Sequence, residues 1–315
     1  MPFDRHGHRL IPALGQALRG PGHDGVSDFL TSASRLRSVA NLDLFQASVL
    51  GIVQGLTEFL PVSSSGHLVL FQHLFGLNEP ELAFDISVHI GTLAAVLFYF
   101  RLDLWAMVTA LIRLPGRLAG GERFSDLAET DEAIRMALLI VLASIPTAIL
   151  GLAFKEIADQ LFSSVAMVGG ALLVTAGLLW STRQRRVEGA GILAFTLVAA
   201  MIIGLVQGLA IIPGISRSGA TIAVGILLGL NRETAARFSF LLSIPAVAGA
   251  GLLGARDLAG PEAIPLVVVA VGTVISAIVG YGALRLLVYI VRRGTLHRFA
   301  PYCGVVGIAA LAWGL

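Results

Sequence analysis

Residues Gly51–His67 read GIVQGLTEFLPVSSSGH, and residues Gly204–Thr221 read GLVQGLAIIPGISRSGAT. Each stretch starts as an apolar helix, breaks at a proline and resumes in hydroxyl-bearing residues before another apolar run. Aligned without gaps at an offset of 153, Gly51–Asn78 and Gly204–Asn231 are identical at 12 of 28 positions. The matches fall in order, as VQGL, then S-x-SG, then GLN, which marks an internal repeat. Leu44–Leu60 and His67–Leu77 are each short for a bilayer crossing, which takes about 20 apolar residues, and Gly191–Ile212 with Ala220–Leu230 flank the second motif as another broken pair. Both pairs therefore read as re-entrant helical hairpins. Broken backbone at membrane depth is tolerated only against protein or a wet cavity.

The rest of the 315-residue chain supports this setting. It is 56% hydrophobic and 13% charged, with a mean hydropathy of +0.84, where soluble domains carry roughly 25% charged residues. Leu82–Phe100, Ala133–Phe154, Val165–Thr182, Phe238–Leu253, Ile264–Val291 and Phe299–Leu315 read as spans. The expected fold is an all-α polytopic integral membrane protein with six transmembrane helices and two re-entrant hairpins. Three crossings lie between the repeat copies, so the copies should be inverted. Repeat one runs over about 44–182 and repeat two over about 190–315, within a membrane domain of residues 44–315. Residues 1–43 read as a polar extension.

The 22 basic residues, all arginine but for Lys155, gather in connections. A polar loop carries Arg101, Arg113, Arg117 and Arg123. Later clusters are Arg183, Arg185 and Arg186, then Arg292, Arg293 and Arg298. These connections should be cytoplasmic, leaving the extension and the C-terminus outside. A net charge of +2 gives no reason to expect nucleic acid. Cys303 is the single cysteine, which excludes an intrachain disulfide framework.

The copies differ where chemistry needs them to. Glu58 and His67 stand opposite Ile211 and Ala220, and Ser64 stands opposite Arg217. A carboxylate inside a membrane is costly and points to function. Glu58 shares a helix face with Gln54 and suits proton transfer, orientation of His67, or a divalent cation held by oxygen ligands. Ser63, Ser64 and Ser65 lie within four residues of His67, and a serine hydroxyl needs a base to become a nucleophile. Serines before an apolar run are also ordinary helix caps. Arg217 offers a planar fork of donors to phosphate oxygens. The helix N-terminus beside it, with Ser216, Ser218 and Thr221, completes a phosphate cradle. Asp85 and His89, four apart at the start of a span, read as interfacial. Two broken helices meeting at the midplane also form a transporter architecture, so a lipid-phosphate flippase or ion-coupled carrier is the rival to an enzyme.

GLTEFLPVSSSGH and PGISRSGAT resemble the two signature motifs of the undecaprenyl-diphosphatase family, also called bacitracin-resistance proteins. FSFLLSIP, from Phe238 to Pro245, is similar to a further stretch of that family, and the resemblance runs over Leu44–Leu315. It implies a phosphatase of the bacterial inner membrane, facing the periplasm, that hydrolyses undecaprenyl diphosphate to the monophosphate carrier lipid of cell-wall synthesis. The family's acidic motif falls on Gln54 and Glu58, the metal ligands that the resemblance implies. Gln54 stands where the motif also admits glutamate, one charge fewer for a cation. The serine motif falls on Ser63, Ser64 and Ser65, the histidine on His67. The arginine motif falls on Pro213, Gly214, Ser216, Arg217, Ser218 and Thr221. Expected roles are Ser64 as nucleophile, His67 supported by Glu58 as its activator, and Arg217 as the charge stabiliser. Ser63, His67 and water stay open as nucleophiles. Phosphate contacts are expected from Ser63, Ser65, Gly214, Ser216, Ser218 and Thr221. Mg²⁺ or Ca²⁺ is the implied cofactor. The expected partners are the polyprenyl diphosphate lipid, the bilayer and a second copy of the chain in a homodimer.

Overall fold

The computed structural model describes residues 42–77, 82–154, 164–183, 189–254 and 264–314. The extension up to residue 41, Asn78 of the repeat, Lys155, Arg185 and Arg186 lie outside the described residues. Among the described residues the regular secondary structure is all helical, apart from one isolated bridge between Ala190 and Leu230. In chain order the helices are α1 (Leu44–Phe59), α2 (Ser64–Leu74), α3 (Leu82–Tyr99), α4 (Arg101–Ala119), α5 (Phe124–Thr130) and α6 (Glu132–Phe154). There follow α7 (Val165–Ser181), α8 (Leu197–Leu209), α9 (Arg217–Leu227), α10 (Arg232–Gly254), α11 (Leu266–Arg292) and α12 (Ala300–Gly314).

The first hairpin is α1–α2. Asp43 caps α1 reciprocally with Gln46, at 2.7 and 3.1 Å. The helix stops because Pro61 has no N–H and crowds the residue before it, and Leu60 is accordingly extended (φ −61°, ψ 140°). Ser63 caps α2. The second hairpin, α8–α9, repeats this plan, with Thr196 capping α8 and Ser216 capping α9. The starts of α8 and α9 fall at the repeat offset from those of α1 and α2.

Each hairpin's first helix packs on the opposite half of the chain. Helix α1 lies along α11, and α8 lies along α6. The glycines that open the two repeat stretches permit this approach. A Cβ on Gly51 would stand 2.7 Å from the Gly272 carbonyl oxygen, and one on Gly204 would stand 2.0 Å from that of Ala143. Small residues at such crossings are the usual device of membrane helices. The closing helices α7 and α12 pack on each other.

All six expected spans are helices. Helices α6, α10 and α11 are long and apolar enough to cross a membrane singly, and α3 and α4 pass the same test together with a 73° bend. Large apolar side chains face outward on them: Leu252 is 78% and Leu266 82% exposed. Apolar surface on this scale suits lipid, not water. The chain is thus an all-α membrane protein. One connection differs from expectation. The stretch read as a polar loop after residue 100 is mostly helix, α4 followed by α5. Its exposed Leu102, Trp105, Val108 and Ile112 recur at helical spacing between the arginines. Within it, Arg117 ties Glu122 to Asp131, and its hydrogen bonds hold the Glu122 carboxyl below the usual carboxylate range.

Candidate active site

The two breaks face each other. The Gly214 N–H donates to Ser63 Oγ at 3.0 Å, and a Cβ on Gly66 would meet Gly214 Cα at 3.2 Å. Helix α7 clamps the second break. Thr175 Oγ1 donates to the Gly214 carbonyl at 2.8 Å and accepts from the Ser216 N–H at 3.0 Å. The N-termini of α2 and α9 are thereby held together, and the residues opening them, Ser64 and Arg217, occupy matched positions of the repeat.

Glu58 is the centre of the cluster. It is 6% exposed and both its oxygens are engaged. Oε1 pairs with the Arg217 guanidinium of the other hairpin. Oε2 accepts from Ser64 Oγ at 2.5 Å and from Gln54 Nε2 at 2.9 Å, with His89 Nε2 at 3.4 Å. The Ser64 hydroxyl therefore points its proton at a carboxylate, a strong charge-assisted bond. Ser64 and Arg217 are only partly buried, so an incoming molecule can reach both.

The other serines are occupied differently. Ser63 Oγ accepts from Gly66 and Gly214, and Ser216 Oγ accepts from the Gly219 N–H at 3.1 Å. Both are buried helix caps. Thr221 Oγ1 donates to the Arg217 carbonyl at 2.7 Å and lies 2.5 Å from Ser239 Oγ. Ser218 is buried with its Oγ 3.4 Å from that of Ser216. Ser65 is half-buried, 3.4 Å from Ser63 Oγ. The expected cradle thus divides. Arg217 faces the cluster, while Gly214, Ser216 and Thr221 spend their polar groups on the architecture beneath it.

His67 is placed otherwise than its spacing suggested. Its Nδ1 lies 2.8 Å from the Ser63 carbonyl and its Nε2 lies 2.8 Å from Tyr302 Oη. Reaching back one turn to that carbonyl swings the ring toward α12 and away from the Ser64–Glu58 bond. Asp85 and His89, expected at the interface, are part of the site's surroundings. Asp85 accepts from Gln72 Nε2 at 2.8 Å, and His89 faces Glu58, because the start of α3 packs against the first hairpin. Tyr302 and Thr175 carry no motif signal. His89 carried one, its i,i+4 pairing with Asp85.

A buried carboxylate, a serine hydroxyl bound to it and a guanidinium from a second broken helix define a membrane protein equipped for anion chemistry. Residues 47–309 match the family described as Bacitracin resistance protein BacA, and the chain belongs to that family. It is 53% identical to the undecaprenyl-diphosphatase of Desulfosudis oleivorans, over 87% of this chain and 100% of that protein. It is 49% identical to that of Desulforapulum autotrophicum over 87% and 99% of the two chains, and 44% identical to that of Korarchaeum cryptofilum over 86% and 99%.

Proposed function

We propose that this protein is an undecaprenyl-diphosphate phosphatase, releasing phosphate and the monophosphate carrier lipid. The observation that carries the reading is the Ser64–Glu58–Arg217 cluster assembled across two hairpins. Ser64 Oγ forms the new bond to the terminal phosphorus, and the bond from that phosphorus to the bridging oxygen breaks. Undecaprenyl phosphate departs with the electron pair. The Ser64 proton passes to Glu58, which neutralises the carboxylate and frees Arg217 for the phosphoryl oxygens. Charge stabilisation of that kind dominates phosphoryl transfer. Glu58 then gives its proton to solvent. In the second half Glu58 takes a proton from the attacking water and returns it to Ser64 Oγ as the phosphoserine bond breaks. The other water proton stays on the phosphate. Glu58, not His67, serves as the base in this scheme, because it is the group that already accepts from Ser64.

A divalent cation has two donors here. Gln54 Oε1 is buried with no hydrogen-bond partner, and it neighbours the Glu58 carboxylate. Among the described residues no group of three or more His, Cys, Asp or Glu side chains is placed to hold a metal, so the diphosphate oxygens would complete the shell. When bound, Mg²⁺ or Ca²⁺ would offset phosphate charge. Six crossings, two re-entrant hairpins inverted about the membrane plane, the bacterial inner membrane and a periplasmic site complete the reading. The arginine-bearing connections support that orientation. The mass of the detergent-solubilised particle reads out the expected homodimer.

The test is phosphate release from a C55 polyprenyl diphosphate by purified protein, beside Glu58→Ala and Arg217→Ala. Release that both substitutions abolish, with folding intact, supports the reading. Absence of release under every cation condition would overturn it, and lipid-phosphate flipping would then be the activity to assay.

A further inference from the structure

Ser63 is the one non-glycine residue with a positive φ, 69°, among the described residues. Serine is disfavoured there, and such a conformation persists only where neighbours over-determine it. Four hydrogen bonds do so. The Ser63 carbonyl accepts from the His67 backbone N–H at 3.1 Å and from His67 Nδ1 at 2.8 Å. Ser63 Oγ accepts from the N–H groups of Gly66 and Gly214, at 3.3 and 3.0 Å. The next residue is Ser64, whose hydroxyl reaches Glu58 only because the turn at Ser63 aims it there.

The protonation of His67 follows from its partners. A carbonyl has no proton to give, so Nδ1 carries the ring hydrogen. In the neutral ring Nε2 is then an acceptor, and the Tyr302 hydroxyl fills it. The two rings stack, with centroids 5.8 Å apart and planes 9° from parallel. Neither ring nitrogen is left to take a proton from Ser64.

We propose that Tyr302 is a positioning residue for the hydrolysis, holding His67 as the Nδ1–H tautomer and, through it, the Ser63 turn that aims Ser64. His67 is on this view a positioning residue as well. The arrangement is a cross-brace between the halves of the chain. Tyr302 on α12, in the second half, steadies the break of the first hairpin. Thr175 on α7, in the first half, steadies the break of the second. The inference rests on the reaction proposed above and adds to it a residue 235 positions from its partner in sequence.

Replacements of His67 separate positioning from base catalysis. Asparagine can place its amide N–H where Nδ1–H stands but has no imidazole to titrate, whereas alanine keeps neither group. Phosphate release is measured for His67→Asn, His67→Ala and Tyr302→Phe in detergent, with melting temperature recorded for each. Ring-¹⁵N spectra of histidine-labelled wild type and Tyr302→Phe are recorded alongside, the His67 signals being assigned by their loss in His67→Asn. The expected result is an Nδ1–H tautomer in wild type that becomes mixed in Tyr302→Phe. The kcat of Tyr302→Phe should fall roughly fivefold at unchanged KM, the scale of one hydrogen bond. His67→Asn should keep at least about tenfold more activity than His67→Ala. A folded His67→Asn as inactive as His67→Ala would overturn the proposal, and so would a Tyr302→Phe enzyme with wild-type kcat and tautomer. If wild type releases no phosphate, the phosphatase reading fails instead, and the ring spectra still report whether Tyr302 sets the tautomer.

Discussion

The two hairpins share a backbone plan and divide the chemistry. In both, a capped helix stops at a break, a buried serine caps the next helix, and glycine presses the first helix onto the far half of the chain. Their reactive groups part company at three matched pairs. The first copy has Glu58, Ser64 and His67, and the second has Ile211, Arg217 and Ala220. The lesson is that the repeat supplies two equivalent breaks and substitution makes them complementary, one bearing a hydroxyl bound to a carboxylate, the other a guanidinium.

The largest effects should come from removing what differs between the copies. Ser64→Ala is expected to lower kcat by on the order of 10³-fold or more, as loss of a nucleophile does. Arg217→Ala should cost about 10²–10³-fold. It should also lower the melting temperature, because it strands the buried Glu58 carboxylate. Ser63→Ala is the contrasting case. It removes a cap and the tie to Gly214, so its main expected effect is about 1 kcal/mol of stability, with activity falling far less than in Ser64→Ala. Phosphate-release kinetics on folded protein check this ranking. Equal activities for the two serine variants would erase the division of roles.

Next in size are the helix crossings the copies share. Gly204→Ala would set its new methyl 2.0 Å from the Ala143 carbonyl oxygen, and Gly51→Ala would set its methyl 2.7 Å from that of Gly272. Both must displace backbone, at a cost of about 1–3 kcal/mol for ordinary overpacking. The closer approach makes Gly204→Ala the more destabilising. Thermal unfolding in one detergent reads the order, and a Gly51→Ala variant that melts first would show that the halves do not bear load as their geometry suggests.

Much of this comparison was legible in the sequence, for reasons that are local. Pro61 is followed at once by three serines and a glycine instead of more apolar helix, so the first hairpin could be read directly, whereas Pro115, Pro146 and Pro245 lie inside continuous helices. The shared offset located the second, and the isolated carboxylate and guanidinium marked themselves by their cost in a membrane. What escaped reading depends on direction or distance. Whether Ser63 or Ser64 faces Glu58 turns on a positive φ that no residue type announces at serine. His67 sits three residues from Ser64, yet its ring reaches back to a carbonyl and outward to Tyr302 on the last helix. Helix α4 was hidden by its arginines, although Leu102, Trp105, Val108 and Ile112 carry the helical period between them.

The smallest test asks whether the matched helix starts are equally well made. Asp43 and Thr196 cap α1 and α8 at corresponding positions, but only Asp43 belongs to a reciprocal pair. Its side chain accepts from the Gln46 N–H at 2.7 Å while Gln46 Oε1 accepts from the Asp43 N–H at 3.1 Å. Thr196 accepts from the Ala199 N–H alone, at 3.1 Å, because alanine at 199 has nothing to return. Asp43→Ala should therefore cost about 1 kcal/mol and Thr196→Ala somewhat less, within the range measured for caps. Gln46→Ala should remove only the return bond, bringing α1 to the condition α8 already has. Melting temperatures in one detergent decide it. A Thr196→Ala variant as damaged as Asp43→Ala would mean that tertiary packing, and not the cap, holds both helix starts in place.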